Sequence, residues 1–441
     1  MRFRSGKDTI DWSLVEKLHD EIGKIRALLL REPNELYDAS SYQQRRSTTG
    51  GCNYRCVYCT NHVNPDDDAP FSEFLKVDAA FNVFGMKKVH HTGGEPTTRP
   101  NFAEYVRALS YLGYSDQIVT TNGSNPTVIG RAIDNGLGRV TVSLDTMDPE
   151  KFAQIARGDA KLLQRVLESV EVAVSMLDVV KINFVATRDS IQELDRVLEF
   201  AQKKRAILRL IELIPHSSEI KTGRYIYDEK HVLPEEMLER LSRHGELLET
   251  PIAGVNAAAT YYRVGSLATP IAVIGQKWKG EGINCQEDKC VRFRINPRNS
   301  VSLCRHSPAI QGAVLAKLDT LEIAYELREL ICLKRQRMQL SRYPLIHPFT
   351  YEANRFGLEE SNMSLTEGVS LKSLLEGGRA LRVQAERDAC FPRPLIGNEQ
   401  QVWNDCEKNY VGGGRTKMSH KIAIVGKSGS GKSFKKQRKN N

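Results

Sequence analysis

From about residue 85 to residue 214 the chain alternates short β-rich runs with amphipathic stretches, and this alternation restricts the fold more than any other feature. The runs are Lys88-Val-His-His, Gln117-Ile-Val-Thr, Arg139-Val-Thr-Val-Ser, Val180-Lys-Ile-Asn-Phe-Val and Ile207-Leu-Arg-Leu-Ile-Glu-Leu-Ile. Between them, Lys151 to Leu177 and Asp189 to Arg205 carry apolar residues at helical spacing. A repeated strand-helix unit implies parallel strands covered by helices, so the pattern predicts an α/β fold with its sheet closed or partly closed into a barrel. In such barrels the chemistry gathers at the carboxyl ends of the strands. That is where the cysteine loop at residues 52–59, His91-Thr-Gly-Gly-Glu-Pro, Thr120-Thr-Asn-Gly, Ser143-Leu-Asp and Glu212 fall.

At 441 residues the chain is long enough to bury a sizeable core. Nine cysteines are too few and too clustered for a secreted disulfide scaffold, and the opening Met-Arg-Phe-Arg-Ser-Gly-Lys-Asp has charges where a signal peptide has an apolar run. No stretch approaches the roughly 18 apolar residues of a membrane span. The expectation is a protein of a reducing cytoplasm that engages no membrane. The net charge is +9, but residues 427–441 hold six Lys or Arg and no acid, which leaves the body at +3. A mildly basic body suits a small anionic substrate, and no polynucleotide-binding motif is present.

Cys52, Cys56 and Cys59 stand in the stretch Gly51-Cys-Asn-Tyr-Arg-Cys-Val-Tyr-Cys, a C-x3-C-x2-C triplet. Three thiolates offered to a four-iron cluster leave one iron open, and that iron can bind the amino and carboxylate groups of a small molecule. The alternatives are a structural zinc knuckle or three free thiols. Zinc sites usually pair C-x2-C with a second ligand pair.

With Tyr58 just before its last cysteine, the triplet resembles the signature of radical S-adenosylmethionine (SAM) enzymes. The Gly93-Gly94-Glu95-Pro96 turn after a predicted strand resembles the motif whose backbone binds the methionine amino group in that superfamily, glycine allowing close backbone approach. Thr120 and Ser143 match its other SAM-contacting positions; singly, each is more often a strand-end turn residue. The resemblance is closer still to the GTP 3′,8-cyclases of molybdenum cofactor biosynthesis. It is carried by the cysteine loop, Thr-Gly-Gly-Glu-Pro, Thr-Thr-Asn-Gly, Val-Ser-Leu-Asp-Thr-Met-Asp-Pro-Glu-Lys-Phe, Lys-Ile-Asn and Leu-Arg-Leu-Ile-Glu-Leu-Ile-Pro, in that order from about Arg45 to Cys304.

That family has a second three-cysteine 4Fe-4S cluster whose open iron meets the substrate base, which the resemblance assigns to Cys285, Cys290 and Cys304. The thirteen-residue gap between Cys290 and Cys304 is the family's, whereas four residues separate Cys285 from Cys290 where the family has two. Arg292 and Arg294 alternate as on a strand and would point the same way; in the family such a pair grips the nucleotide. Arg45, Lys88, Lys181 and Arg209 match its other anion-binding positions, and several converging cations are what a triphosphate demands. Each alone is by default a solvated surface charge. Two departures concern the substrate: His90 stands where the family has a further arginine, and the chain ends in Asn-Asn rather than the family's Gly-Gly tail.

Gly426-Lys-Ser-Gly-Ser-Gly-Lys432-Ser433 fits a Walker A pattern after the apolar run at 421–425, yet only eight residues follow Ser433, too few for a working nucleotide site. Met418 onward is expected to be a truncated P-loop tail that is a disordered basic segment. Cys332 reads as core; Cys390 and Cys406 have no partner spacing.

The expected organisation is a helical lead-in over 1–40, a partial (β/α) barrel of radical SAM type over 41–250, an auxiliary cluster and substrate region over 251–340, a mixed extension over 341–417 and the tail over 418–441. What the resemblance implies is an enzyme with two 4Fe-4S clusters and SAM as cofactors, making a 5′-deoxyadenosyl radical. In the family that radical removes the ribose 3′ hydrogen of GTP, after which the sugar carbon attacks C8 of guanine. Expected partners are a nucleotide, GTP first, and a reductase or flavodoxin-type electron donor, with a homodimer as the candidate assembly. Alternatives are a radical SAM enzyme for another nucleotide, a peptide-modifying radical SAM protein with an auxiliary cluster, and a zinc-stabilised nucleotide-binding protein.

Overall fold

In the computed structural model, the structure describes residues 8–29, 37–59, 64–213, 229–250, 259–275, 290–303 and 309–339. Cys285 and Cys304 of the second cysteine group, the 341–417 extension and the Walker A tail all lie outside the described residues. The described residues up to 303 and those from 311 onward fall in one compact unit, and 309–310 fall in a second. The parallel strands, the helices that cover them and the cysteine loop at residues 52–59 belong to the first unit.

The strands of this first unit are β1 (Gln43–Thr49), β2 (Lys88–Gly93), β3 (Asp116–Thr121), β4 (Arg139–Ser143), β5 (Val180–Ala186), β6 (Ile207–Glu212), β7 (Leu247–Glu249), β8 (Thr260–Val264), β9 (Ile271–Ile274), β10 (Arg292–Ile295) and β11 (Val301–Ser302). Hydrogen bonding orders them β11-β10-β1-β2-β3-β4-β5-β6-β9-β8-β7, an open series. The eight strands from β10 to β9 pair in parallel, and antiparallel strands flank them on both sides. This is the α/β partial barrel that the alternation predicts.

The helices of eight residues or more are α1 (Trp12–Leu29), α2 (Phe71–Val83), α3 (Phe102–Tyr111), α4 (Pro126–Asp134), α5 (Pro149–Ala156), α6 (Leu162–Met176), α7 (Leu194–Lys203), α8 (Pro234–Ser242) and α9 (Thr320–Gln339). None is long and apolar enough to cross a membrane. Packed against the sheet, they bury one of its faces: Val89, Val119, Val140, Val142, Ile182, Phe184, Leu208 and Leu210 are all completely covered. Burying this row removes a large apolar area from water and holds the sheet rigidly in place.

Two elements depart from the sequence pattern. The helical periodicity over Lys151 to Leu177 is broken into α5 and α6, because Arg157 adopts the left-handed conformation (φ 50°). A helix end leaves carbonyls without intrahelical donors. Here those of Ile155 and Ala156 accept from Val57 N (2.9 Å) and Arg55 N (3.0 Å), so the break frees acceptors that dock the cysteine loop. The second departure is β1, whose sequence Gln-Gln-Arg-Arg-Ser-Thr-Thr has no apolar residue yet sits centrally in the sheet. Its helix-facing side chains draw most of their partners from far along the chain, with Arg46 Nε left unbonded. Arg46 is fully buried against Asp78 of α2, donates to Gln44 Oε1 (3.2 Å) and Asn299 Oδ1 (3.1 Å), and lies over the Phe74 ring at 4.3 Å. Asp78 also accepts from Tyr105 (2.6 Å).

Candidate functional site

The carboxyl ends of β1, β2 and β3 are joined into one cradle. Gly94 N donates to Thr49 O (2.8 Å) and Glu95 N to Gly51 O (2.7 Å), so the Gly-Gly-Glu turn is laced to the start of the cysteine loop. Both glycines are required by this approach. Gly93 has φ 120°, and a Cβ on Gly94 would lie 1.9 Å from Gly51 O. The space that the glycines leave is thus occupied by Ser47 and Thr49 of β1 and by the Gly50-Gly51 backbone that leads into the cysteine loop. Asp68 anchors the base of that loop, accepting from Thr49 Oγ1 (2.5 Å) and Gly50 N (2.9 Å).

Glu95 is 1% exposed. Its carboxylate accepts from Thr97 N (3.0 Å), Thr97 Oγ1 (2.6 Å), Thr121 Oγ1 (2.7 Å) and Asn122 N (2.6 Å), which makes it a strut between the β2 and β3 turns. Burial raises its pKa and these hydrogen bonds oppose the rise. Asn122, which sequence reasoning did not single out, donates to Asn53 Oδ1 (2.8 Å) and lies 3.8 Å from Cys52 Sγ. Tyr58 donates to Asp145, whose other oxygen accepts from Val185 N (2.7 Å). Burial pushes Asp145 up to about 6. Asp145 was legible only as part of the Ser143-Leu-Asp motif. Ser143 and Thr120 are half-buried, and Thr120 Oγ1 is 2.7 Å from His90 Nε2.

Cys52 and Cys56 are half-buried and Cys59 is exposed. Burial pushes Cys56 up to about 12, and Asp145, Cys59 and Cys52 add to the effect. Cys52 is raised as well, by burial first. Three thiolates carried on one loop need a cationic group to offset their charge. A cubane cluster gives each thiolate its own iron, and three cysteines on one half-buried loop are the donors it takes. The donor set therefore fits a 4Fe-4S cluster.

Strand register shows where the six candidate cations stand. Arg45 pairs with Arg294 on one side and His90 on the other, and Gln43 pairs with Arg292 and Lys88. Further along, Lys88 pairs with Asp116, Lys181 with Thr141 and Arg209 with Asn183. Registered partners project to the same side of a sheet. Following these pairs strand by strand, Arg45, Lys88, Lys181, Arg209, Arg292 and Arg294 all occupy the face opposite the apolar, helix-covered one. His90, Thr120 and Ser143 share it. His91, one residue on, points the other way and is wholly buried, and burial lowers its pKa to about 3.

The cations are not equivalent. Lys88 is 3.3 Å from Asp116, which Arg139 also grips. Arg139 is on the same face and is a cation that sequence reasoning missed. Arg209 donates through Nε (2.8 Å) and Nη2 (2.6 Å) to Asn183 Oδ1. Burial, with Arg292 nearby, lowers Arg209 to about 10. Lys181 is 9% exposed, and its one hydrogen bond among the described residues is to Tyr261 Oη at 3.5 Å. Burial, then Arg209, Arg139 and Lys88, lowers it to about 8. His90 is pushed well below the usual histidine value by burial and by Arg45, Arg209 and Arg292, so it is neutral. Of the second cysteine group only Cys290 is described; it is half-buried, 3.7 Å from Lys334 Nζ, which also donates to Arg292 O and Leu303 O (both 2.8 Å).

A cysteine loop on the carboxyl ends of a parallel sheet is the arrangement of the radical SAM class, and the Radical SAM superfamily model matches residues 47–201. The GTP 3′,8-cyclase of Peptoclostridium acidaminophilum is 30% identical over 278 residues, 60% of this chain and 80% of that protein. That of Rhizobium meliloti is 35% identical over 244 residues, 52% of this chain and 68% of that protein. The probable GTP 3′,8-cyclase of Methanothermobacter marburgensis is 35% identical over 179 residues, 40% of this chain, and the match spans 58% of that protein's length. The chain belongs to the radical SAM superfamily and, within it, to the family of these cyclase relatives. Membership implies a 4Fe-4S cluster and SAM.

Proposed function

We propose that this chain is a radical SAM enzyme acting on a purine nucleoside triphosphate, GTP first, in the manner of a 3′,8-cyclase. Cys52, Cys56 and Cys59 would hold the cluster, which with bound SAM supplies a 5′-deoxyadenosyl radical when given an electron by a reductase or flavodoxin-type donor. Tyr58, Thr120 and Ser143, with the backbone at Gly93 and Gly94, would seat SAM. Glu95 acts differently: its carboxylate is spent on Thr97, Thr121 and Asn122, so it fixes the cradle's shape.

The observation that carries the reading is the single cationic face. Lys181 is buried there and Arg209 half-buried, each with N–H donors unspent among the described residues. Like charges gathered out of water repel one another and cost stability, and an anionic ligand relieves both costs. A polyphosphate can accept from cations on several strands at once. Cys285, Cys290 and Cys304 would hold a second cluster facing the base, and iron and sulfide analysis should then find two clusters per chain; finding one would remove this part.

One observation favours a second reading, another nucleotide in place of GTP. His90 is neutral at the centre of Arg45, Arg209 and Arg292, where the resembling family has a charge. Anaerobic incubation of reconstituted protein with SAM, a reductant and separate nucleoside triphosphates decides between them. With GTP, 5′-deoxyadenosine and a new product are expected; a product from a different nucleotide alone would select the second reading.

A further inference from the structure

Tyr261 belongs to none of the cysteine or cation motifs. It lies in β8 and is 4% exposed, and it registers with Ala272 of β9, which registers with Arg209 of β6. Tyr261 therefore projects from the face that bears the cations. Its hydroxyl oxygen is 3.5 Å from Lys181 Nζ. A protonated lysine only donates, so the phenol oxygen accepts and retains its own proton for another acceptor. Among the described residues none supplies that acceptor. Burial holds the phenol in its protonated form, with Arg209 and Arg139 opposing.

Two donors, one cationic and one neutral, thus stand side by side in a desolvated place, and a buried donor without an acceptor is costly. A single anionic oxygen can accept from both. A neutral donor also adds a hydrogen bond without adding to the repulsion among Lys181, Arg209, Arg139 and Lys88. We propose that Tyr261 is a further substrate-binding residue, donating its hydroxyl to the same anionic phosphate oxygen that Lys181 binds. This rests on the anion-site reading above.

The experiment is a double-substitution cycle on the full, anaerobically reconstituted chain, using Tyr261→Phe, Lys181→Met and the two combined, with binding of GTP and of inorganic triphosphate measured by calorimetry. Tyr261→Phe is expected to weaken both ligands about tenfold, with iron content and SAM affinity unchanged. The combined protein should lose less than the product of the separate losses, since both donors serve one oxygen. Native affinity in Tyr261→Phe, or losses that simply multiply, would overturn the proposal. So would an equal loss of SAM affinity, which marks a structural role. If the native chain binds neither ligand, the anion site itself fails and Tyr261's role with it.

Discussion

At the scale of the residue, Lys181 is the most informative group in the molecule. Burial and then three neighbouring cations disfavour its charged form and lower it to about 8. Below pH 8 the ammonium is present and can bind an anion. As pH rises through 8 the free site loses that charge, so affinity for a triphosphate should fall, by up to about tenfold per pH unit. Lys181→Arg keeps its charge throughout. Between pH 7 and 9.5 the native protein should lose affinity relative to Lys181→Arg; a comparison of the two cancels the ligand's own titration. Parallel profiles would contradict the assignment of Lys181 to the anion. Gly93, Gly94 and Glu95 mark both the reach of residue-by-residue reading and its limit. Their place in the cradle follows from the motif, but their partners do not: Glu95 reaches Thr121 and Asn122 across a strand boundary, which local sequence does not encode.

At the scale of the element, strands with β-branched runs were legible. Arg139-Val-Thr-Val-Ser is β4, and Val180 to Ala186 is β5. β1 was not, because its seven residues are all polar and its burial depends on Asp78, Tyr105, Tyr114 and Asn299, from 32 to 253 residues away. Asp78→Ala would strand Arg46 as an uncompensated buried charge between β1 and α2. It is expected to cost about 3–5 kcal/mol of unfolding free energy, read from denaturant titration, and a loss under about 1 kcal/mol would mean that Arg46 is satisfied otherwise. The break between α5 and α6 was equally hidden. The apolar periodicity runs on through Arg157, where the left-handed turn before Gly158 ends the helix and leaves the Ile155 and Ala156 carbonyls to the Val57 and Arg55 amides, far upstream.

At the scale of the whole molecule, the α/β alternation made the parallel sheet legible, and the ordered motifs made the superfamily legible. Alternation also placed Arg292 and Arg294 on one side of their strand, with the buried Phe293 between them. What the sequence left open was the register that sets these two beside Arg45, and Arg45 beside His90, since register is a property of paired strands. Register brings cations more than two hundred residues apart onto one face, below the cradle that the cysteine loop closes. On the reading proposed above, this face holds GTP with its ribose within reach of a radical formed at the cradle. Anaerobic turnover with SAM, a reductant and GTP bearing deuterium at the ribose 3′ carbon probes that arrangement at the reacting atom itself. Deuterium is expected in the 5′-deoxyadenosine; 5′-deoxyadenosine free of deuterium, alongside turnover of some other nucleotide or a peptide, would contradict it.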